Sequence, residues 1–177
     1  MKKTVAIIGS SRRDGNTGKL IDWIAEELDI EVIDLCLEEI SPYDYEHKNI
    51  NDDFLSLMNR LMSYDNIIFA SPVYWFSMSA QMKVLIDRIS DFLSVEGLKE
   101  QGRQLRGKVA YVVSTSINEH ADDSFLDPFI NTFDYLGMGY GGAIHACCKN
   151  GFETNKYQND VTAFVNKLTA SNYQTAR

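Results

Sequence analysis

The chain has 177 residues, 45% of them hydrophobic and 24% charged, and a formal net charge of −8. A chain of this length buries about 70% of its extended surface, so one domain, expected over residues 1–177, needs no disulfide or metal to hold it. The acidic balance argues against a nucleic-acid partner, and no apolar run approaches the roughly 20 residues that cross a bilayer, which argues against a membrane role.

Behind Lys2-Lys3, the run Val5-Ala6-Ile7-Ile8 is shorter than the 7–15 or so residues of a secretion-signal core and reads as a first strand, Thr4–Gly9. Further strands are expected at Ile30–Leu35, Asn66–Ser71, Val109–Ser114 and about Gly141–Cys147. Runs such as Ile67-Ile68-Phe69-Ala70 are apolar throughout, as a parallel sheet covered on both faces requires. Between the strands, five stretches carry apolar stripes at i, i+3, i+4 spacing. They are Leu20-Ile21-Ile24-Leu28, Phe54-Met58-Leu61-Met62, a long one from Met78 through Met82, Leu85, Ile86 and Ile89 to Leu93, Phe125-Phe129-Ile130-Phe133, and Val161-Phe164-Val165-Leu168. The segment Ser94–Lys108 is polar and suits either a cover over a site or a surface decoration.

The order βαβαβαβαβα with right-handed crossovers gives an α/β fold: a doubly wound, five-stranded parallel sheet of order 2-1-3-4-5 with helices on both faces. Ligands in such sheets bind beyond the carboxyl ends of the strands, where the strand order reverses. Here that point lies between the loops after strands one and three.

The first of these loops is Gly9-Ser10-Ser11-Arg12-Arg13-Asp14-Gly15-Asn16-Thr17, with a helix starting at about Thr17. Unpaired N–H groups and the positive dipole end of a helix make an anion site. Ser10, Ser11, Asn16 and Thr17 add short donors, and Arg12 or Arg13 adds a fork that suits phosphate. A helix cap by Asn16 or Thr17 is the plainer alternative. Gly18-Lys19 lacks the first glycine and the hydroxyl of a nucleotide-triphosphate loop, and Ser11 stands where a dinucleotide fingerprint needs glycine. Asp34, at the end of strand two, reads as an exposed strand-end carboxylate. No cysteine has arginine six residues on, which excludes a phosphotyrosine phosphatase. A monophosphate remains.

The second loop is Ser71-Pro72-Val73-Tyr74-Trp75-Phe76-Ser77-Met78. Proline stiffens it, and three consecutive aromatics cannot all enter one core. A planar ligand would use the rigid backbone and the rings, while a hydrophobic cluster or a dimer contact is the alternative. A phosphate at one loop and a flat ring at its neighbour together describe FMN.

The stretches GSSRRDGNT (9–17), NINDDF (49–54) and SPVYWFSMSAQMKVLIDR (71–88) resemble the NAD(P)H-dependent FMN reductase family, flavodoxin-like proteins that include iron–sulfur flavoproteins. The resemblance implies that Ser10, Arg12, Asn16 and Thr17, with Ser11 beside them, hold the FMN phosphate. Pro72, Val73, Tyr74 and Trp75 would lie along the isoalloxazine, and Ser114, Thr115 and Ser116 would make further flavin contacts. Related reductases often have glycines at that last position, and this chain does not. Iron–sulfur relatives carry a compact cysteine cluster before NINDDF. Here only Cys36 precedes Ser41-Pro42-Tyr43-Asp44-Tyr45-Glu46-His47, and one thiolate cannot hold a four-thiolate cluster.

Several other residues have plainer readings. Lys83 and Asp87 are spaced as an exposed helix pair, and Arg88 beside them has no assigned role. Asp52-Asp53 reads as the opening of the second helix. His120 follows strand four, where it reads as a solvated loop residue that lies within reach of a nicotinamide. His145 and Cys147 are too few to hold a metal. The cysteines, 36, 147 and 148, are odd in number and two are adjacent, which suggests reduced thiols and a cytoplasmic setting, with one of the adjacent pair buried and one facing out.

The expected activity is hydride transfer from NAD(P)H to bound FMN and then to an acceptor such as a quinone or free flavin, with no catalytic side chain required. The rivals are a non-catalytic electron carrier and a flavin-free binding domain. The apolar loop 74–76 suggests a homodimer, with a tetramer as the alternative.

Overall fold

The computed structural model describes residues 2–170, so residues 1 and 171–177 of the expected domain lie outside the described part. The strands are β1 (Thr4–Ile8), β2 (Val32–Asp34), β3 (Asn66–Pro72), β4 (Val109–Ser116) and β5 (Gly139–Cys147). The helices are α1 (Asn16–Leu28), α2 (Phe54–Met62), α3 (Ala80–Arg88), α4 (Asp91–Ser94), α5 (Lys99–Gly102), α6 (Asp123–Leu136) and α7 (Thr154–Thr169). All pairings are parallel and the strand order is 2-1-3-4-5, as the sequence predicts.

Successive strand residues point to opposite faces, so the apolar runs feed two separate cores. Val5, Ile7, Ile67 and Phe69 pack with Phe54, Leu57, Met82, Leu85 and the Phe125, Phe129 and Phe133 stripe of α6. Ala6, Ile8, Ile68 and Ala70 pack with Leu20, Ile21 and Ile24 of α1 and Val161 and Phe164 of α7. Helices α1 and α7 thus cover one face, and α2, α3 and α6 the other. β3, between β1 and β4, is buried along its whole length.

β5 starts two residues earlier than expected. Its register against β4 shifts at Ala110/Tyr111, and Gly142, paired to Tyr111, has φ 122°. A Cβ on Gly141 would lie 2.2 Å from the Tyr111 ring, so the glycine makes room for that buried side chain.

The long third helix is divided. α3 ends at Arg88, and the chain turns through i→i−3 bonds (Ile89 N–H to Ile86 O at 3.2 Å, Phe92 N–H to Ile89 O at 3.1 Å) before α4. That tightening lets Asp91 fold back so that Arg88 Nε donates to its Oδ2 at 2.8 Å, both side chains fully buried. Arg88 Nη1 also donates to the Ser41 carbonyl at 3.0 Å and pairs with Asp52. Arg88 therefore ties the irregular segment 41–53 to α3. Asp52 Oδ1 accepts Phe54 N–H, whereas the side chain of Asp53 accepts Glu39 N–H rather than capping α2. Segment 94–108 forms α5 and a short turn leading into the start of β4, at the amino end of the sheet. It does not cover the carboxyl end.

Candidate functional site

At the carboxyl ends of β1, β3 and β4, the two loops face each other across a cleft of about 740 Å³, within the range of small-molecule sites. Its charged end is the start of α1. Gly15 occupies the N-cap in an extended conformation, no side chain caps the helix, and its first turn carries no acidic residue. Asn16 and Thr17 are therefore not caps. They lie in the first turn, where peptide N–H groups face outward. Thr17 is committed to the site wall through a 2.7 Å hydrogen bond between its Oγ1 and that of Thr115. Ser10 Oγ donates to the Arg12 carbonyl at 3.1 Å, and Gly15 N–H donates to the same oxygen at 3.1 Å, which curls the loop.

The two arginines divide. Arg13 reaches along α1 and donates to both carboxylate oxygens of Asp22, at 2.8 and 2.5 Å, and this bond holds its pKa above the usual value. Arg12 lines the cleft and stays exposed, with its guanidinium against the Cα of Gly15. A Cβ on Gly18 would lie 1.8 Å from the Arg13 carbonyl oxygen, so only glycine lets the first turn of α1 sit this close to the loop before it.

On the opposite side, Tyr74 and Ser77 exchange backbone hydrogen bonds of 2.9 and 3.0 Å around Trp75 and Phe76. Trp75 has φ 50° and Phe76 φ 63°, so this is a two-residue turn of the I′ kind, which ordinarily takes Asn-Gly. Large aromatics in that conformation are strained by about 1–3 kcal/mol each. The rings stand outward, Trp75 at 95% exposure and Phe76 at 58%. Pro72 and Val73 form the floor, with Val73 N–H donating to the Thr115 carbonyl at 3.0 Å.

A buried serine joins the two loops. Ser79 caps α3 by accepting Met82 N–H at 3.2 Å, and it donates to the Gly9 carbonyl at 2.6 Å. Its own N–H donates to Ser71 Oγ at 2.9 Å.

The remaining wall comes from β4 and its loop: Thr115, Ser116, Ile117 and Asn118, with Cys148 behind them. His145 on β5 holds this wall through Ser114 Oγ (2.8 Å to Nδ1), Ser116 Oγ (3.1 Å to Nε2) and the Asn118 carbonyl (3.2 Å to Nε2). Burial lowers the His145 pKa, which favours the neutral imidazole.

Of the residues expected at the site, Ser10, Arg12, Asn16, Thr17, Pro72, Val73, Tyr74, Trp75, Thr115 and Ser116 line this cleft. Two do not. Ser11 is exposed on the outer side of the loop and accepts Gln81 Nε2–H at 3.1 Å. Ser114 lies one strand repeat too deep, fully buried and bonded to His145. Two further corrections, to Asp34 and to the adjacent cysteines, concern neighbouring residues, while Lys83, Asp87 and His120 stand as expected. Asp34 is half-buried and caps a turn by accepting Cys36 N–H at 2.9 Å. Cys147 and Cys148 are both buried, and burial raises the Cys148 thiol to about 11. Lys83 and Asp87 form the exposed pair at 2.6 Å. His120 is exposed beside a groove outside the cleft. Sequence reasoning missed Ser79, Ile117, Asn118 and Cys148. Only Ser79 carries a local signal, as a serine preceding a helical stripe.

The sequence profile of the NADPH-dependent FMN reductase family matches residues 2–153. The chain is 30% identical over 150 residues to the Bacillus subtilis protein YwqN, named as an NAD(P)H-dependent FMN-containing oxidoreductase, covering 80% of this chain and 83% of that one. It is 32% identical over 197 residues to the iron–sulfur flavoprotein MJ1083 of Methanocaldococcus jannaschii, covering 94% and 98%. Among solved structures, the fold matches the Trp repressor binding protein of Bacillus subtilis with a TM-score of 0.73 and 24% identity, covering 97% and 100% of the two chains. It also matches an FMN-dependent NADH-azoreductase of Bacillus anthracis in complex with FMN, at 0.67 and 16%, covering 93% and 96%.

The fold and cleft belong to the flavodoxin-like class of α/β proteins. Within that class, the chain belongs to the NADPH-dependent FMN reductase family. It is an FMN-binding oxidoreductase that uses NAD(P)H as co-substrate.

Proposed function

We propose that the cleft holds the FMN phosphate against Ser10, Arg12, Asn16 and Thr17, with the ring system along Pro72, Val73, Tyr74 and Trp75 and against Thr115 and Ser116. The observation that carries this reading is the uncapped start of α1, beside the exposed Arg12, facing a strained aromatic turn across one cleft. An anion would satisfy the first feature and a planar ring the second.

Held there, FMN would supply the two-electron chemistry that connects NAD(P)H to a second substrate. The chain's part is positional. The turn 74–77 fixes the plane on which a ring can rest, and the Thr17–Thr115 bond fixes the width of the site. A small planar oxidant, such as a quinone, free flavin or azo compound, suits the open aromatic lip as second substrate. It would alternate with the nicotinamide in a ping-pong cycle. An iron–sulfur centre has no part in this reading, since Cys36 is the single cysteine in the segment before α2.

Trp75, Phe76 and Ile117 leave an apolar lip, with Ile117 71% exposed, which supports a second copy of the chain over the mouth. Purified protein should carry the visible flavin band and oxidise NADH or NADPH only when an acceptor is added. A colourless protein that gains no thermal stability from FMN would end this reading. A monomer by light scattering at micromolar concentration would end the dimer.

A further inference from the structure

The neighbours of Ser116 decide which way its hydroxyl donates. Asn118 N–H donates to Ser116 Oγ at 2.9 Å, which fixes that oxygen as an acceptor. His145 Nε2 lies 3.1 Å from the same oxygen and 3.2 Å from the Asn118 carbonyl. A carbonyl only accepts, so Nε2 must carry the imidazole proton, shared between the two oxygens. Nδ1 is then the bare nitrogen, and it accepts the hydroxyl proton of Ser114 at 2.8 Å. The register places Ser114 directly beside His145, and Ser114 is fully buried, so this arrangement has no solvent competitor.

The consequence falls on Ser116. Its oxygen receives two donors, one from Asn118 and one from His145. Its own O–H proton has no acceptor in that pair, and the residue lines the cleft. We propose that His145 is a positioning residue that makes Ser116 a one-way hydrogen-bond donor into the cleft, directed at an acceptor oxygen or nitrogen of a bound ring that gains negative charge on reduction. The inference rests on the FMN reading of this cleft. A donor aimed at an atom whose charge grows on reduction favours the reduced form over the oxidised one.

The test has two arms. In FMN-free protein at neutral pH, nitrogen-15 spectra of the histidine rings should report His145 as the Nε2–H tautomer, and the Nδ1–H tautomer would overturn the proposal. This arm stands whether or not FMN binds. In the second arm, Ser116→Ala and His145→Phe are each compared with the parent for affinity towards oxidised and reduced FMN. Each should weaken the reduced form about tenfold more than the oxidised form, and the double variant should lose no more than Ser116→Ala alone. Equal losses in both oxidation states, or losses that add, would overturn the proposal. A protein that binds neither form would instead overturn the function proposed above.

Discussion

Ser79 Oγ donates to the Gly9 carbonyl across 2.6 Å, joining the start of α3 to the end of β1 where the strand order reverses. Neither residue lines the cleft, yet the bond sets the spacing between its charged end and its aromatic end. Gly9 makes the approach feasible, because a Cβ there would sit 2.9 Å from the Met82 nitrogen.

Ser79→Ala removes the donor to Gly9 and the acceptor for Met82 N–H within a fully buried site. Stability should fall by about 1–3 kcal/mol. FMN should bind about tenfold more weakly as the two loops lose their common anchor. Thermal unfolding and flavin-fluorescence titration measure the two effects. Unchanged affinity would mean that the loops hold their spacing without the serine.

Arg12→Ala should weaken FMN binding about tenfold to a hundredfold and leave riboflavin, which lacks the phosphate, unaffected. Arg13→Ala should leave both affinities close to the parent, since its guanidinium is already held by Asp22 at 2.8 and 2.5 Å. Reversed results for the two arginines would place the phosphate elsewhere.

The turn at Trp75-Phe76 has the backbone that Asn-Gly prefers. Replacing the pair with Trp75→Asn and Phe76→Gly should raise stability by about 1–2 kcal/mol, because strain is relieved and little buried surface is lost. The same change should weaken FMN binding and remove self-association. A fall in melting temperature would show that the aromatics contribute packing that outweighs the strain.

Arg88→Met leaves the buried Asp91 and the half-buried Asp52 without their cation and should cost about 3–5 kcal/mol. Burial alone pushes the Asp52 carboxyl up, but its bonds to Arg88 and to the N–H groups of Ser41 and Phe54 outweigh this and hold it below the usual range. A depressed folded pKa stabilises above the unfolded value of about 3.9, and that stabilisation is lost as pH falls through the folded pKa. The parent loses this contribution on acidification and the variant has none to lose, so the stability gap between them should narrow as pH drops below about 4, measured by urea unfolding at several pH values with circular dichroism. A gap that stays constant with pH would show that the backbone donors alone hold Asp52 ionised.

Much of this fold is written in local patterns. β1, β3 and β4 show as continuous apolar runs, and the stripes of α1, α2, α6 and α7 lie where their period places them. The break between α3 and α4 does not show, because the apolar period runs through it. What divides the helix is the Arg88–Asp91 pair, whose partners Ser41 and Asp52 are distant in sequence. At the site, the glycine, serine and arginine content made the first loop legible, whereas the split between Arg12 and Arg13 depended on Asp22, nearly two turns into α1. The aromatic run was conspicuous, but its turn type was hidden, since no residue in it favours positive φ. Ser114 was misplaced for a related reason. Once β4 extends to Ser116, the wall moves two residues onward and Ser114 sinks to the level of His145.

Gly18 adds a constraint on how this chain can vary. With an extra carbon only 1.8 Å from the Arg13 carbonyl, any replacement must lever α1 away from the hairpin bend before it. The first-turn peptide groups proposed to meet the phosphate would swing aside together, since they share one rigid cylinder. Alanine, the mildest change by volume and the best helix former, would therefore be harmful here, and a survey of tolerated substitutions should find this glycine nearly immutable although it does not line the cleft.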